Sequence, residues 1–213
     1  MRVPRAWGRD GEAMAGAATM QVPLPEAAVV EEPTLEAQLE TFARVLPERP
    51  FVLGGCCCSH VGAVRELARR HGRVAVVWID AHGDLNTPES SPSGNPWGMS
   101  LRMLLDAGDV DPEDVTLLGA RNLDPPEAEY LAATGIRRGL GPPAERVYVA
   151  LDGDAVEPGE LDVFFPEPGG YRLSELEQLL ASIPQPIGAG VTGLVSSARN
   201  ESALSRLVRT LAL

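Results

Sequence analysis

Asp80, His82 and Asp84 stand at alternate positions directly after an apolar run, Val74 to Ile79. In locally extended chain, residues at i, i+2 and i+4 project to one side, so two carboxylates and an imidazole can converge. Burying two acids beside a core strand is costly unless a positive charge compensates, and a divalent cation would do so. A second apolar run, Val147 to Leu151, ends in the same way in Asp152 and Asp154. Four carboxylates and one imidazole suit Mn²⁺ or a similar borderline-hard ion, and could hold two ions through a bridging Asp. The competing reading is a polar strand end, with Asp80 or Asp84 capping the next turn.

For these acids to meet, both runs must be neighbouring parallel strands. Short continuous β-branched runs are the signature of strands buried on both faces, and ligands bind beyond the carboxyl ends of such sheets. The surrounding chain supports that layout. Thr34 is placed to cap a helix with Leu35, Leu39, Phe42 and Leu46 on one face. Phe51 to Leu53 reads as a strand running into Gly54-Gly55, and residues 59 to 70 as a helix burying Val61, Val64 and Leu67. A broken polar loop from Asn86 to Gly98 follows the first acidic cluster, a position suited to substrate contact. Helices are predicted over 99–105, 126–133, 173–182 and 200–212, with strands at 115–118 and 187–194. Residues 1–33 read as an irregular N-terminal segment with one short strand near Met20 to Val22, and residues 34–213 as a single domain. Alternating strands and helices define an α/β fold with a mainly parallel sheet.

The chain of 213 residues carries 30 acids against 18 bases, a net charge of −12. That charge argues against nucleic acid or an anionic membrane as a partner. Arg2, Arg5 and Arg9 are not followed by an apolar core, so no signal peptide is expected. The cysteines, Cys56, Cys57 and Cys58, are consecutive and unsuited to a disulfide framework, which points to a cytoplasmic location.

The order of motifs resembles the ureohydrolase family of arginases and agmatinases. The resemblance rests on Val76-Val77-Trp78-Ile79-Asp80-Ala81-His82-Gly83-Asp84, then Asn86-Thr87-Pro88 and Ser93-Gly94-Asn95. Leu151-Asp152-Gly153-Asp154 and Pro166-Glu167-Pro168-Gly169-Gly170 complete it. It implies an arginase-like fold with three α/β/α layers, a binuclear manganese site and hydrolysis of a guanidino or amidine group, in a homo-oligomer. Asp80, His82, Asp84, Asp152 and Asp154 are then metal ligands, Asp84 also holds the nucleophile, and Asn86, Ser93 and Asn95 contact substrate.

Three positions depart from the family pattern. Gly-Gly-Asp-His-Ser is usual where this chain has Gly54-Gly55-Cys56-Cys57-Cys58, so Cys57 stands at the place of a ligating His. A Cys57 thiolate would favour softer ions such as Zn²⁺, whereas free cysteines also serve as small buried core residues. The Ser-Gly-Asn loop continues into Trp97 rather than a proton-transferring His, and Trp97 could stack on a planar cation or simply pack its loop. Gly193 stands where a guanidinium-gripping Glu is usual. The first expectation is therefore a metal-dependent hydrolase of the ureohydrolase type with an altered substrate. The alternative is a non-catalytic protein of the same fold that binds metal or a partner. A flavodoxin-like phosphorelay domain also gathers acids at strand ends, but it leaves His82 and the Ser-Gly-Asn loop unexplained.

Overall fold

The computed structural model describes residues 1–141, 145–183 and 185–213. Six strands form one parallel sheet: β1 (Arg2–Val3), β2 (Phe51–Gly54), β3 (Ala75–Ile79), β4 (Val115–Leu118), β5 (Val147–Asp152) and β6 (Gly188–Thr192). Their spatial order is β1-β2-β6-β5-β3-β4. The expected parallel sheet is therefore present, with β3 and β5 adjacent and β2 separated from β5 by β6 alone.

Burial explains the apolar runs. Successive side chains of a strand point to opposite faces, and here helices cover both. Val77, Ile79, Val149 and Leu151 face one core together with Leu176 and Leu180 of α6 (Leu173–Ala181) and Leu204 and Leu207 of α7 (Ala198–Thr210). Val76, Trp78, Tyr148 and Ala150 face the other. There they meet Phe42 of α2 (Leu35–Val45), Val61, Val64 and Leu67 of α3 (Cys58–His71), and Leu101 and Leu104 of α4 (Ser100–Asp106). The result is the expected α/β/α sandwich. α2 begins where the sequence places it, with the Thr34 hydroxyl accepting from the Ala37 N–H at 3.2 Å. α5 (Pro125–Ala133) starts with a capping box between Asp124 and Glu127.

The N-terminal segment differs from its expected form. Its strand is Arg2–Val3 at the sheet edge, not Met20 to Val22. Two residues are too few to carry a periodic signal, and the pairing rests on the backbone: Leu53 N–H donates to Met1 O and Gly55 N–H to Val3 O, both at 2.9 Å. The short helix α1 (Glu12–Ala15) and a 3₁₀ turn over Gly16–Thr19 follow, and Met20 is buried in the core beyond them. Among the described residues, no helix is long and apolar enough to cross a membrane.

Register positions the site. Ile79 pairs with Leu151, Asp152 with Thr192, and Leu53 with both Arg2 and Val191. The strands therefore end level with one another, and Asp80, Asp152, Thr192 and Gly55 occupy one edge of the sheet. This is the carboxyl edge, where parallel sheets open onto ligands.

Candidate metal centre

Asp80 leaves β3 already fixed in direction. Its Oδ1 accepts from the His82 N–H at 2.8 Å, and its Oδ2 accepts from Trp78 Nε1 at 3.3 Å. From β5, Asp152 Oδ1 accepts from the Asp154 N–H at 3.0 Å. Asp154 Oδ1 accepts from the Ala81 N–H, also at 3.0 Å, which ties the two strand ends together. These bonds use the first turn beyond each strand to aim the remaining oxygens inward.

Two groups of potential ligand atoms result, each lying within 4.8 Å of one another: Cys57, Asp80 and Asp84 in one, Asp80, His82 and Asp154 in the other. Asp80 belongs to both. The His82 imidazole presents Nδ1 to Asp154 Oδ2 at 3.0 Å and to Asp80 Oδ1 at 3.5 Å. Its Nε2 faces Glu167 Oε1 at 3.7 Å. A ligating His commonly offers one ring nitrogen to the ion and the other to a carboxylate, and this ring is so disposed. Asp152 Oδ2 turns to the other group, within 3.0 Å of the Cys57 thiol and 3.2 Å of the Thr192 hydroxyl.

The electrostatics call for a cation. Burial alone would lower the basicity of His82, but hydrogen bonds to Asp154 and Asp80 and their negative charges push it up to about 12. Burial raises Asp152 and Asp154 to about 6, assisted by Asp154 for the former and by Asp80 for the latter. Burial, then repulsion from Asp80, lifts Asp84 well above the carboxylate range. Asp84 Oδ2 is buried with no hydrogen-bond partner, and Asp84 itself adopts a φ of 52°. An unpaired buried carboxylate oxygen costs several kcal/mol, and left-handed backbone at a non-glycine residue adds strain. Hard oxygen donors with one imidazole fit a divalent ion of the manganese kind, whereas the Cys57 thiol suits a softer one. The donor set therefore fits bound divalent metal.

Each residue proposed from the sequence has a definite place. Asp80, His82, Asp84, Asp152, Asp154 and Cys57 all line one pocket with Asn86, Ser93, Asn95 and Trp97. Asn86 is nevertheless occupied: its Nδ2 donates to Asp124 at 2.8 Å, and its Oδ1 accepts from Ser90 at 2.9 Å. Asn95 Oδ1 accepts from the Arg9 N–H at 3.0 Å, so it pins the loop to the N-terminal segment. The Ser93 hydroxyl accepts from the Asn95 N–H at 3.2 Å and shapes the loop itself. All three cysteines are free and buried. Cys56 and Cys58 pack with Met14 in a small core of their own, and Cys57 faces the carboxylates.

His60 packs inside α3, as its helical position suggests, but it is not isolated from the site. Its Nδ1 lies 3.1 Å from the Tyr148 hydroxyl and its Nε2 3.3 Å from Thr192 Oγ1, which in turn touches Cys57 at 3.2 Å. Burial lowers the His60 pKa to about 3, so the ring is neutral. Glu127 also escapes sequence reasoning as a site residue. It accepts from the Leu85 and Asp124 N–H groups, both at 2.9 Å, and holds the backbone behind Asp84. The Asp124-Pro125-Pro126-Glu127 spacing was its available signal, as a capping box. Gly193 has a φ of 73°, and a Cβ there would lie 2.1 Å from Asp152 Oδ1. No side chain, glutamate included, can project from that position in this conformation.

Comparison with known proteins agrees with this layout. The family model of the Arginase family matches residues 13–139. The arginase of Staphylococcus aureus (strain COL) is 40% identical over 98 residues, 41% of this chain and 32% of that protein. The chain's match thus spans about a third of the length of that curated relative. The N(omega)-hydroxy-L-arginine amidinohydrolase of Streptomyces lavendulae is 29% identical over 173 residues, 71% of this chain and 63% of the relative. In three dimensions, the crystal structure of arginase from Bacillus subtilis superposes with a TM-score of 0.85 at 24% identity, covering 99% of this chain and 96% of that one.

Proposed function

Since the chain belongs to the arginase family, we propose that it is a metal-dependent hydrolase acting on a C–N bond of a guanidino or related amidine compound. The observation that carries this reading is the pair of ligand groups sharing Asp80 at the carboxyl edge of the sheet, one of which contains Asp84 with its buried, unpartnered oxygen. Asp80, His82 and Asp154 would hold one divalent ion, with Glu167 orienting the imidazole. Cys57, Asp80 and Asp84 would hold a second, with Asp152 beside the thiol. Manganese suits the first set, and the sulfur favours zinc in the second.

Divalent ions there would lower the pKa of water by several units and so supply a nucleophile near neutral pH. Asp84 is the residue positioned to accept a hydrogen bond from that nucleophile. As the attacking oxygen bonds to the planar amidine or guanidinium carbon and the C–N bond breaks, Asp84 would take the proton of that oxygen and return it to the departing nitrogen, which would leave as an amine. The acidic lining attracts the cationic substrate, and the Asn86 to Gly98 loop walls it from solvent. Trp97 in place of a proton-transferring His removes a contribution of roughly 10²–10⁴-fold, and Gly193 offers no carboxylate to a guanidinium. Arginine and agmatine are accordingly expected to be poor substrates.

The test is release of urea or amine from a panel of guanidines and amidines by protein reloaded with manganese, zinc or both. Metal-dependent release from any member, lost in Asp84→Asn, supports the hydrolase. Stoichiometric metal binding with no release from any member supports a binding protein of the same fold.

A further inference from the structure

The pocket of about 370 Å³ above the acids has two unlike halves. Its floor and one side are acidic: seven Asp and Glu residues line it, and among the described residues no Lys or Arg does. Its other side is aromatic. Trp97 meets Phe164 and Phe165 edge to face, with ring centroids 6.1 and 6.3 Å apart, and the two phenylalanines are 4.5 Å apart. Phe165 is 50% exposed.

This wall is built in place. The Trp97 ring lies so close to the backbone of Gly8 that a Cβ there would be 2.3 Å from it. The Arg9 N–H holds the same loop through Asn95. The phenylalanines are anchored by the Phe164 N–H, which donates to Gly193 O at 2.9 Å, directly beside Asp152. Phe165 packs on Phe164 and Trp97, yet half of its surface stays exposed, so part of this aromatic wall is open to a ligand.

We propose that the pocket takes an arylalkylguanidinium, a planar cation on a short aromatic tail that carries no carboxylate. The assignment rests on the hydrolase reading only for which end points inward: the cation toward the acids, the tail against Trp97, Phe164 and Phe165. Edge and offset contacts between rings add affinity beyond area burial alone, and the volume is at the lower end of the range for small-molecule sites. An α-amino acid such as arginine would instead place its carboxylate in an acidic pocket where, among the described residues, no Lys or Arg can pair it. That unpaired charge is the element that discriminates against it.

Calorimetric titration of the metal-loaded protein with phenethylguanidine, agmatine and arginine tests the assignment without requiring turnover. Phenethylguanidine should bind at least about 10-fold tighter than arginine. Trp97→Ala and Phe165→Ala should each weaken phenethylguanidine by roughly 10-fold, about 1.4 kcal/mol, with little effect on agmatine, while Phe165→Tyr keeps the ring and the affinity. Phe165 is exposed enough that its replacement should leave melting behaviour intact. Arginine binding as tightly as phenethylguanidine, no binding of phenethylguanidine, or unchanged affinity in both alanine variants would overturn the proposal. Tight binding with no release from any guanidine or amidine of the panel would sustain it while removing the hydrolase reading.

Discussion

Stripping the protein of metal should make it less stable as pH rises, and Asp154→Asn should reverse much of that loss. In the metal-free chain burial, then repulsion from Asp80, holds Asp154 at about 6, against roughly 3.9 for an unfolded aspartate. Between those values the folded state keeps a proton that the unfolded state releases. Stability therefore falls as pH climbs through that window, and the loss is complete somewhat above the folded value. A raise of roughly two units corresponds to about 3 kcal/mol. The His82 imidazolium offsets only part of the cost, since its attraction is already included in that raised value. Asparagine keeps the Oδ1 acceptor for the Ala81 N–H but carries no charge. For a chain of this length 1 kcal/mol moves the melting temperature by roughly 2–4 °C. Chelated Asp154→Asn should therefore melt roughly 6–12 °C above the chelated parent near pH 7.5, and the gap should close toward pH 4. Manganese should raise the parent far more than the variant. Scanning fluorimetry across this range is the assay. A chelated variant that melts below the chelated parent near pH 7.5 would refute the reasoning.

Three other outcomes follow from the same geometry. His82→Ala should lose the ion assigned to Asp80, His82 and Asp154, whereas Cys57→Ala should keep that ion, as read by elemental analysis; loss of all metal in Cys57→Ala would reverse the assignment. Gly190→Ala places a Cβ 2.8 Å from both His60 Cε1 and the Tyr148 hydroxyl, so it should cost about 1–3 kcal/mol in denaturant unfolding. Gly98→Ala, with nothing within 4 Å of the added carbon, should change stability by no more than about 0.5 kcal/mol.

Much of this architecture was legible because the physics that builds it is local. The apolar runs Val74 to Ile79 and Val147 to Leu151 announced strands covered on both faces, and the abrupt change to acid at their ends announced the edge where ligands collect. Thr34 and the Gly54-Gly55 pair gave boundaries for the same reason. What escaped was set by contacts distant in sequence. The strand at Arg2–Val3 exists through backbone pairing with Leu53 and Gly54, far along the chain, and two residues carry no pattern. His60 reads as any helical histidine until β5 and β6 bring Tyr148 and Thr192 against it. Phe164 and Phe165 carry no sequence signal, because the chain between β5 and α6 has no periodicity to reveal which side chains reach the Trp97 ring. Likewise, no motif shows that Asn86 bonds Asp124 and Ser90 or that Asn95 Oδ1 accepts from the Arg9 N–H.

The central claim is that divalent metal sits where the two acidic strand ends meet. Anomalous diffraction from crystals grown with manganese tests it directly. The account predicts a peak within bonding distance of Asp80, His82 Nδ1 and Asp154, with Glu167 against the other ring nitrogen. A map with no peak between those side chains, and His82 still paired to Asp154 in the presence of manganese, would contradict it.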